Sequence, residues 1–468
     1  MTKIKFGTDG WRAIIADDFT ASNVARVAEA TAQWLLQREK NPVIVLGHDC
    51  RFGGDLFSDT CARIFTSRGI KVLQSKGFVS TPMISFATVH YRAHLGIIIT
   101  ASHNPPAYNG YKIKGHYGGP LGPAEVQEIE NMIAPAPPEK WQNGDLNESA
   151  RAGLLETVPM EDLYIKHVNK SFDLEAIRGS GMTFAYDAMY GAGQRVVTKL
   201  FPDIVALHCD HNPGFNGQAP EPIHKNLKEL SQLISRSGKI SCGLATDGDA
   251  DRLGLYDDRG QFVDSHHLIL LLIHYLVRYK KMSGKVVVAF STSVRIRNLC
   301  RHYNIPLEVV QIGFKHICGI MVKEDVLVGG EESGGIAIKG HIPERDGVWI
   351  GLTIWEFMAR TGKSLRELID EVYAITGPFS FERNDLHISE AIKQKVLDAC
   401  RKREYSAFGS YKVQRIEDLD GYKFFFDDNT WMMIRASGTE PVLRVYAEAA
   451  DKETADDILA SAGKVLLS

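Results

Sequence analysis

The sequence predicts an α/β protein of three related domains followed by a smaller α+β domain, on three observations. Its 468 residues exceed what a single hydrophobic core holds, so the chain divides into several domains. Short β-branched runs alternate with Gly/Ser/Asp loops and helical-period stretches, the pattern of α/β units with loops at the strand ends. That pattern also recurs: three segments each hold an apolar strand, a helical region and, roughly 40 to 60 residues later, a second strand ending in an unusually polar loop.

The first strands of the three units are read at residues 43–46, 183–186 and 286–289. The second strands end in Thr100-Ala101-Ser102-His103-Asn104-Pro105, Asp247-Gly248-Asp249-Ala250-Asp251-Arg252 and Gly330-Glu331-Glu332-Ser333-Gly334-Gly335. Sheets of this kind bind ligands at their strand ends, so each loop is a candidate functional loop. Pro135-Ala136-Pro137-Pro138, Asp257-Asp258-Arg259-Gly260 and Gly377-Pro378 lie at or near the breaks, giving domains at 1–152, 153–257, 258–375 and 376–468. In the last of these, residues 422–426 and 431–434 flank Asp427-Asp428-Asn429 as a β-hairpin, and 442–448 reads as a further strand.

A hydrophobic content of 44%, a charged content of 24% and a net charge of -3 are those of an ordinary globular protein. With no dense Lys/Arg run, there is no electrostatic footprint for nucleic acid or an anionic membrane. Residues 1–12 reach no apolar core and do not read as a secretory signal, and the apolar run 268–273 is far short of a membrane span. A cytoplasmic protein is expected. The seven scattered cysteines form no C-x-x-C pair and are expected to be reduced.

Asp247, Asp249 and Asp251 occupy alternate positions of one short loop, where they repel one another unless a cation neutralises them. A calcium loop of EF-hand type is excluded, because its sixth position would be Gly and is Arg252, and its twelfth would be Glu and is Asp258. A few carboxylates together with a phosphate oxygen suit Mg²⁺; the plain alternative is a solvated acidic turn. Ser102 closes the strand 96–99, and Pro105-Pro106 keeps its loop from becoming helix, so the serine is expected to be exposed and rigidly held. His103, Lys112 and a metal are available to activate it; a capping or turn serine is the alternative, and without a G-x-S-x-G elbow acyl transfer is unsupported. Arg435-Ala436-Ser437-Gly438-Thr439-Glu440-Pro441 combines a guanidinium, two hydroxyls and a Gly in the manner of a phosphate cradle, or of an ordinary Ser-Gly turn. Glu331-Glu332-Ser333-Gly334-Gly335 offers carboxylates to sugar hydroxyls, or is a charged surface turn.

Taken together, these four loops resemble the α-D-phosphohexomutase superfamily of phosphoglucomutases, phosphomannomutases and phosphoglucosamine mutases. The likeness begins at Phe6-Gly7-Thr8-Asp9-Gly10-Trp11-Arg12, continues through Asn109-Gly110-Tyr111-Lys112 and Gly313-Phe314-Lys315, and spans the chain in order. It implies three mixed-sheet α/β domains and a C-terminal α+β domain around a central cleft. Carried over by residue, it makes Ser102 the phosphorylated serine, with Asp247, Asp249, Asp251 and a phosphoserine oxygen holding Mg²⁺. Arg12, His103, Lys112 and Arg252 then surround the transferring phosphate or assist proton transfer. Glu331 and Ser333 grip sugar hydroxyls, Lys315 helps orient the substrate, and Arg435, Ser437, Gly438 and Thr439 hold the phosphate that is not reacting.

The implied reaction interconverts hexose 1-phosphate and hexose 6-phosphate, with glucose 1,6-bisphosphate as intermediate and activator. Hexose phosphates are the expected partners, with no nucleic acid or membrane, and the assembly is a monomer or homodimer. Many phosphomannomutases and phosphoglucosamine mutases carry a His close after the Ser of the sugar loop, whereas Gly334-Gly335 follow Ser333 here. That favours glucose phosphate, leaves mannose open, and leaves His341 and Lys112 as candidate proton donors. The alternatives are a phosphoglucosamine mutase, a sugar phosphatase with Asp247 as nucleophile, and a non-catalytic sugar-phosphate sensor.

Overall fold

The structure, a computed structural model, describes residues 3–436 and 442–467. Its first sheet runs edge to edge through Trp11–Ile14, Tyr108–Gly115, Leu95–Ile99, Val43–His48, Lys71–Ser75 and Leu155–Val158. The second runs Phe262–Val263, Leu253–Tyr256, Ile240–Thr246, Thr183–Asp187 and Val205–Leu207, and the third Leu307–Val310, Lys285–Ala289, Val326–Gly330 and Ile336–Ile338. Leu155–Val158 pairs with Lys71–Ser75, so the first sheet takes its last strand from beyond residue 152. Likewise the second takes Phe262–Val263 from beyond residue 257, through the turn at Asp257–Gly260.

One motif is common to all three sheets. A parallel pair (Val43–His48 with Leu95–Ile99, Thr183–Asp187 with Ile240–Thr246, Lys285–Ala289 with Val326–Gly330) is followed by an antiparallel return strand. The serine, metal and sugar loops each join the parallel strand to that return strand. The repeat in the sequence is therefore a repeat of topology, with three chemically different loops grown on the same corner of three sheets. The parallel strands are buried on both faces, which is why they read as continuous apolar runs rather than alternating ones.

Domains one to three share one continuous core, in which Val45, Met83 and Ile98 join Tyr164, Leu244, Leu268, Val286 and Trp355. The apolar run at 268–273 is part of helix Ser265–His274, nine of whose ten residues are buried. Helix Gly347–Thr361 is buried from Gly347 to Met358; the Asp346 side chain caps it by accepting from Trp349 N–H, and Gly362 ends it with φ 66°. The fourth domain is an antiparallel sheet, Ser380–His387, Val442–Ala449, Trp431–Ala436, Tyr422–Phe425 and Arg415–Glu417, with its own core under helices Glu390–Arg401 and Lys452–Leu466. A smaller cluster of Phe290 and Val294 with Phe425, Trp431 and Tyr446 ties it to the third domain. Among the described residues no helix is long and apolar enough to cross a membrane, and all seven cysteines are free.

Candidate active site

The serine and metal loops meet at a buried point. Ser102 Oγ donates to Asp247 Oδ2 at 2.8 Å, and an added Cβ on Gly248 would stand 2.5 Å from the Ser102 carbonyl oxygen, so only glycine permits this approach of two backbones. Ser102 adopts φ 52°, a left-handed conformation unusual for a side-chain-bearing residue. The sequence leads one to expect an exposed serine; it is instead 1% exposed, because the metal loop packs directly over it. Its rigidity has a visible cause: Ser102 N–H donates to Thr100 Oγ1 at 2.9 Å, and the Arg51 guanidinium donates to its carbonyl at 2.5 Å.

Asp247, Asp249 and Asp251 are fully buried and place ligand oxygens within 4.8 Å of one another. Asp247 Oδ1 accepts from the backbone N–H groups of Asp251 and Arg252 at 2.9 and 3.0 Å, which shapes the loop. Asp249 Oδ2 accepts from Thr81 Oγ1 at 2.5 Å and from Lys112 Nζ at 2.8 Å. Asp251 Oδ2 takes Lys112 Nζ at 3.2 Å and Arg345 Nη2 at 2.8 Å. The remaining oxygens, Asp249 Oδ1 and Asp251 Oδ1, are buried without a partner among the described residues. Burial, then Asp249 and Asp251, push the Asp247 carboxyl well above the usual range. A buried set of three acids with two unsatisfied oxygens fits a divalent cation on hard oxygen ligands.

Cations from other domains surround this set. Lys112, 1% exposed, also reaches Asp9 at 2.9 Å. Lys114, 0% exposed, pairs with Glu344 at 2.6 Å, and Arg345 joins Asp9 at 2.5 Å. Burial would raise the Asp9 carboxyl, but Lys112, Lys114, Arg345 and Arg12 outweigh it and hold it well below the usual range. Burial works against the Lys112 ammonium too, yet Asp249, Asp251 and Asp9 raise its pKa, so it keeps its proton and acts as a fixed charge. One network thus joins the first domain (Asp9, Lys112, Lys114), the second (Asp249, Asp251) and the third (Glu344, Arg345).

Arg12 and Arg252, both half-buried, act on His103 beside Ser102. Arg12 Nη1 donates to Asn104 Oδ1 at 2.6 Å, while Arg252 Nε is buried without a partner among the described residues. The two guanidiniums act on each other, and burial and Arg252 lower the Arg12 pKa. Both features favour an anion between them. His103 Nδ1 lies 3.4 Å from Ser102 Oγ; burial, then Arg252 and Arg12, hold its pKa well below the ordinary value, so the imidazole is neutral.

In the third domain Glu331 is 5% exposed and accepts from Gly313 N–H at 2.9 Å; burial pushes its carboxyl up to about 7. Ser333 is half-buried in the same turn. Lys315, in the first turn of helix Phe314–Met321, lines a cavity of about 180 Å³ with Thr8 and Asp9. Arg435 Nε pairs with Asp420 Oδ1 at 3.0 Å, and Ser437, Gly438 and Thr439 lie outside the described residues. His341, a candidate proton donor from the sequence, has both ring nitrogens engaged: Nδ1 with His167 Nε2 at 3.2 Å and Nε2 with Asp346 at 2.9 Å, its ring stacked on Trp349 at 3.8 Å. That is the setting of an interdomain packing residue.

Sequence reasoning missed Asp49, Arg51, Thr81, Lys114, Glu344 and Arg345. A signal existed for two of them, since Asp49 and Arg51 follow the strand Val43–His48 at the end where such sheets present functional groups.

Comparison with known proteins finds four family domains in order along the chain. Profiles of the phosphoglucomutase/phosphomannomutase family match residues 3–138 (alpha/beta/alpha domain I), 162–260 (domain II), 264–375 (domain III) and 388–462 (C-terminal domain). A phosphoglucomutase/phosphomannomutase of Thermococcus kodakarensis is 29% identical over 98% of each chain. A phosphoglucosamine mutase of Methanococcus maripaludis is 30% identical over 89% of this chain and 90% of that one. A crystal structure of a Thermus thermophilus protein described as a phosphomannomutase superposes with TM-score 0.87 at 32% identity over 100% of both chains. The chain belongs to the phosphoglucomutase/phosphomannomutase family, within the α-D-phosphohexomutase superfamily, and is an isomerase of that type, an intramolecular phosphotransferase.

Proposed function

We propose that this chain interconverts hexose 1-phosphate and hexose 6-phosphate through a phosphoserine at Ser102, with glucose the favoured sugar and mannose also accepted. The observation that carries the reading is the buried contact of Ser102 Oγ with Asp247 at 2.8 Å, beside two carboxylate oxygens and the Nε of Arg252 that have no partner among the described residues. In the reaction, Ser102 gives its phosphoryl group to the free hydroxyl of a hexose 1-phosphate. The resulting 1,6-bisphosphate turns end for end and returns its other phosphoryl group to Ser102. Glucose 1,6-bisphosphate added in trace then restores any enzyme that has lost its phosphate.

Phosphoryl transfer needs positioning and neutralisation of charge more than acid–base apparatus. Arg12 and Arg252 bind the oxygens of the moving group, and neutral His103 is placed to accept or return the hydroxyl proton. Lys112 holds Asp249 and Asp251 in place as a fixed charge. Asp247, Asp249 and Asp251 are the residues that would hold Mg²⁺, which when bound supplies Lewis-acid charge to the phosphoryl oxygens. Glu331 and Ser333 accept from and donate to sugar hydroxyls, Lys315 orients the substrate, and Arg435 with Ser437, Gly438 and Thr439 holds the distal phosphate.

A second reading, glucosamine phosphate as substrate, has equal support from relatives: several at 28–30% identity are described as phosphoglucosamine mutases. Against an Asp247-nucleophile phosphatase stands the engagement of both Asp247 oxygens, by Ser102 and by two backbone N–H groups.

Phosphorus NMR of the protein and of Ser102→Ala, with Mg²⁺, trace glucose 1,6-bisphosphate and in turn glucose, mannose and glucosamine 1-phosphate, tests the reading. Conversion to the 6-phosphate, abolished in the variant, is expected, and the relative rates rank the sugars. Release of free phosphate by both proteins would move the nucleophile to Asp247 and defeat it.

A further inference from the structure

We propose that Arg51, braced by Asp49, is a positioning residue for phosphoryl transfer: it fixes the backbone of the serine loop and thereby the direction of the Ser102 hydroxyl. The inference rests on the reading of Ser102 as the phosphorylated residue.

Arg51 lies between strand Val43–His48 and helix Gly54–Ser67, and its side chain is 0% exposed. Its guanidinium reaches four carbonyls of one loop. Nη2 donates to Ser102 O at 2.5 Å and Asn104 O at 2.7 Å, and Nη1 to Pro105 O at 2.9 Å and Tyr108 O at 3.1 Å. Asp49 holds the arginine in turn, with Oδ2 3.4 Å from Nε and Oδ1 accepting from Arg51 N–H at 2.9 Å. The same Asp49 Oδ2 accepts from Thr100 Oγ1 at 2.5 Å, and that Oγ1 accepts from Ser102 N–H at 2.9 Å.

Ser102 is therefore gripped at both ends of its own residue, the N–H through Thr100 and Asp49 and the C=O by Arg51. That grip explains how a serine is kept at φ 52°, a conformation side-chain-bearing residues adopt reluctantly. It also explains why Oγ meets Asp247 across 145 residues of sequence. A planar fork with its donors fixed in one plane can bridge carbonyls on both of its terminal nitrogens; an ammonium is a single point and cannot.

Arg51→Lys and Asp49→Asn keep volume and polarity while loosening the grip. Three readouts separate positioning from folding: kcat and KM for the hexose 1-phosphate, single-turnover loss of phosphate from phosphorylated Ser102 by intact mass, and the melting transition. Arg51→Lys is expected to melt cooperatively near the parent temperature. It should lower kcat and the single-turnover rate by about 10²-fold, the cost of misplacing a reacting group by about 1 Å, with KM unchanged; Asp49→Asn moves the same way by less. With Ser102→Ala inactive, a parental kcat in Arg51→Lys would overturn the proposal alone. A loss confined to KM, or failure of both variants to fold, would assign the pair to binding or to the fold and overturn it too. A Ser102→Ala variant that still turned over would remove the underlying reading and this inference with it.

Discussion

Replacing Glu331 by Gln should make the substrate-free protein more stable at alkaline pH and leave it unchanged at acid pH. Glu331 is 5% exposed, and burial raises its carboxyl from an ordinary 4.5 to about 7 in the folded chain. Between those values the folded state keeps a proton that the unfolded state releases, so stability falls as pH rises through the window and is level below about 4.5 and above about 7. Each unit of difference is worth about 1.4 kcal/mol, so the accumulated loss reaches about 3 kcal/mol. Glutamine keeps an oxygen to accept from Gly313 N–H, now at 2.9 Å, but cannot ionise. Urea denaturation followed by tryptophan fluorescence reads the change directly, since Trp349 and Trp355 share the third domain with Glu331. Wild type should lose stability relative to Glu331→Gln from about pH 5 to pH 7, and at about pH 8 the variant should lead by as much as about 3 kcal/mol. Parallel curves for the two proteins over that range would refute the argument from burial.

Gly248→Ala puts a methyl 2.5 Å from the Ser102 carbonyl oxygen, so it should cost about 1–3 kcal/mol by overpacking and depress turnover more than melting; activity and a thermal melt together check it. Lys114→Met removes one of the two cations on Glu344, 0% exposed, leaving Arg345 Nε at 3.3 Å, and should destabilise by less than the about 3–5 kcal/mol that a wholly unpaired buried charge costs; an unchanged urea midpoint would contradict the pairing. Asp251→Asn weakens the set of acids that would hold the cation, and calorimetric titration with Mg²⁺ should register a loss beyond the roughly 10–100-fold that outer-sphere changes cost.

What could be read from the sequence was whatever is local along it. Asp247, Asp249 and Asp251 announce themselves because their repulsion is written within five consecutive residues, and Ser102 because it ends an apolar strand. The first strands at 43–46 and 286–289 are observed as Val43–His48 and Lys285–Ala289, since a strand buried on both faces is apolar throughout. The hairpin around Asp427-Asp428-Asn429 is likewise observed, between Tyr422–Phe425 and Trp431–Ala436. Arg51, Lys114, Glu344 and Arg345 stayed silent because a charged residue looks the same whether it is solvated or buried against a partner 230 positions away, as Lys114 is against Glu344. Nor does sequence position reveal enclosure: the covering of Ser102 comes from Gly248, in another domain.

The charge network has a consequence for how the protein is made. Lys112 and Lys114 leave the ribosome long before Asp249, Asp251 and Glu344, their buried partners. At about 5–20 residues per second the gap between Lys114 and Glu344 lasts about 10–50 s. During that interval the nascent first domain can fold its sheet but sets only Asp9 against two ammonium groups on the face where the rest must dock. Completion of the centre is thus timed by translation of the third domain, and a chain truncated before Glu344 presents that face still seeking its acids.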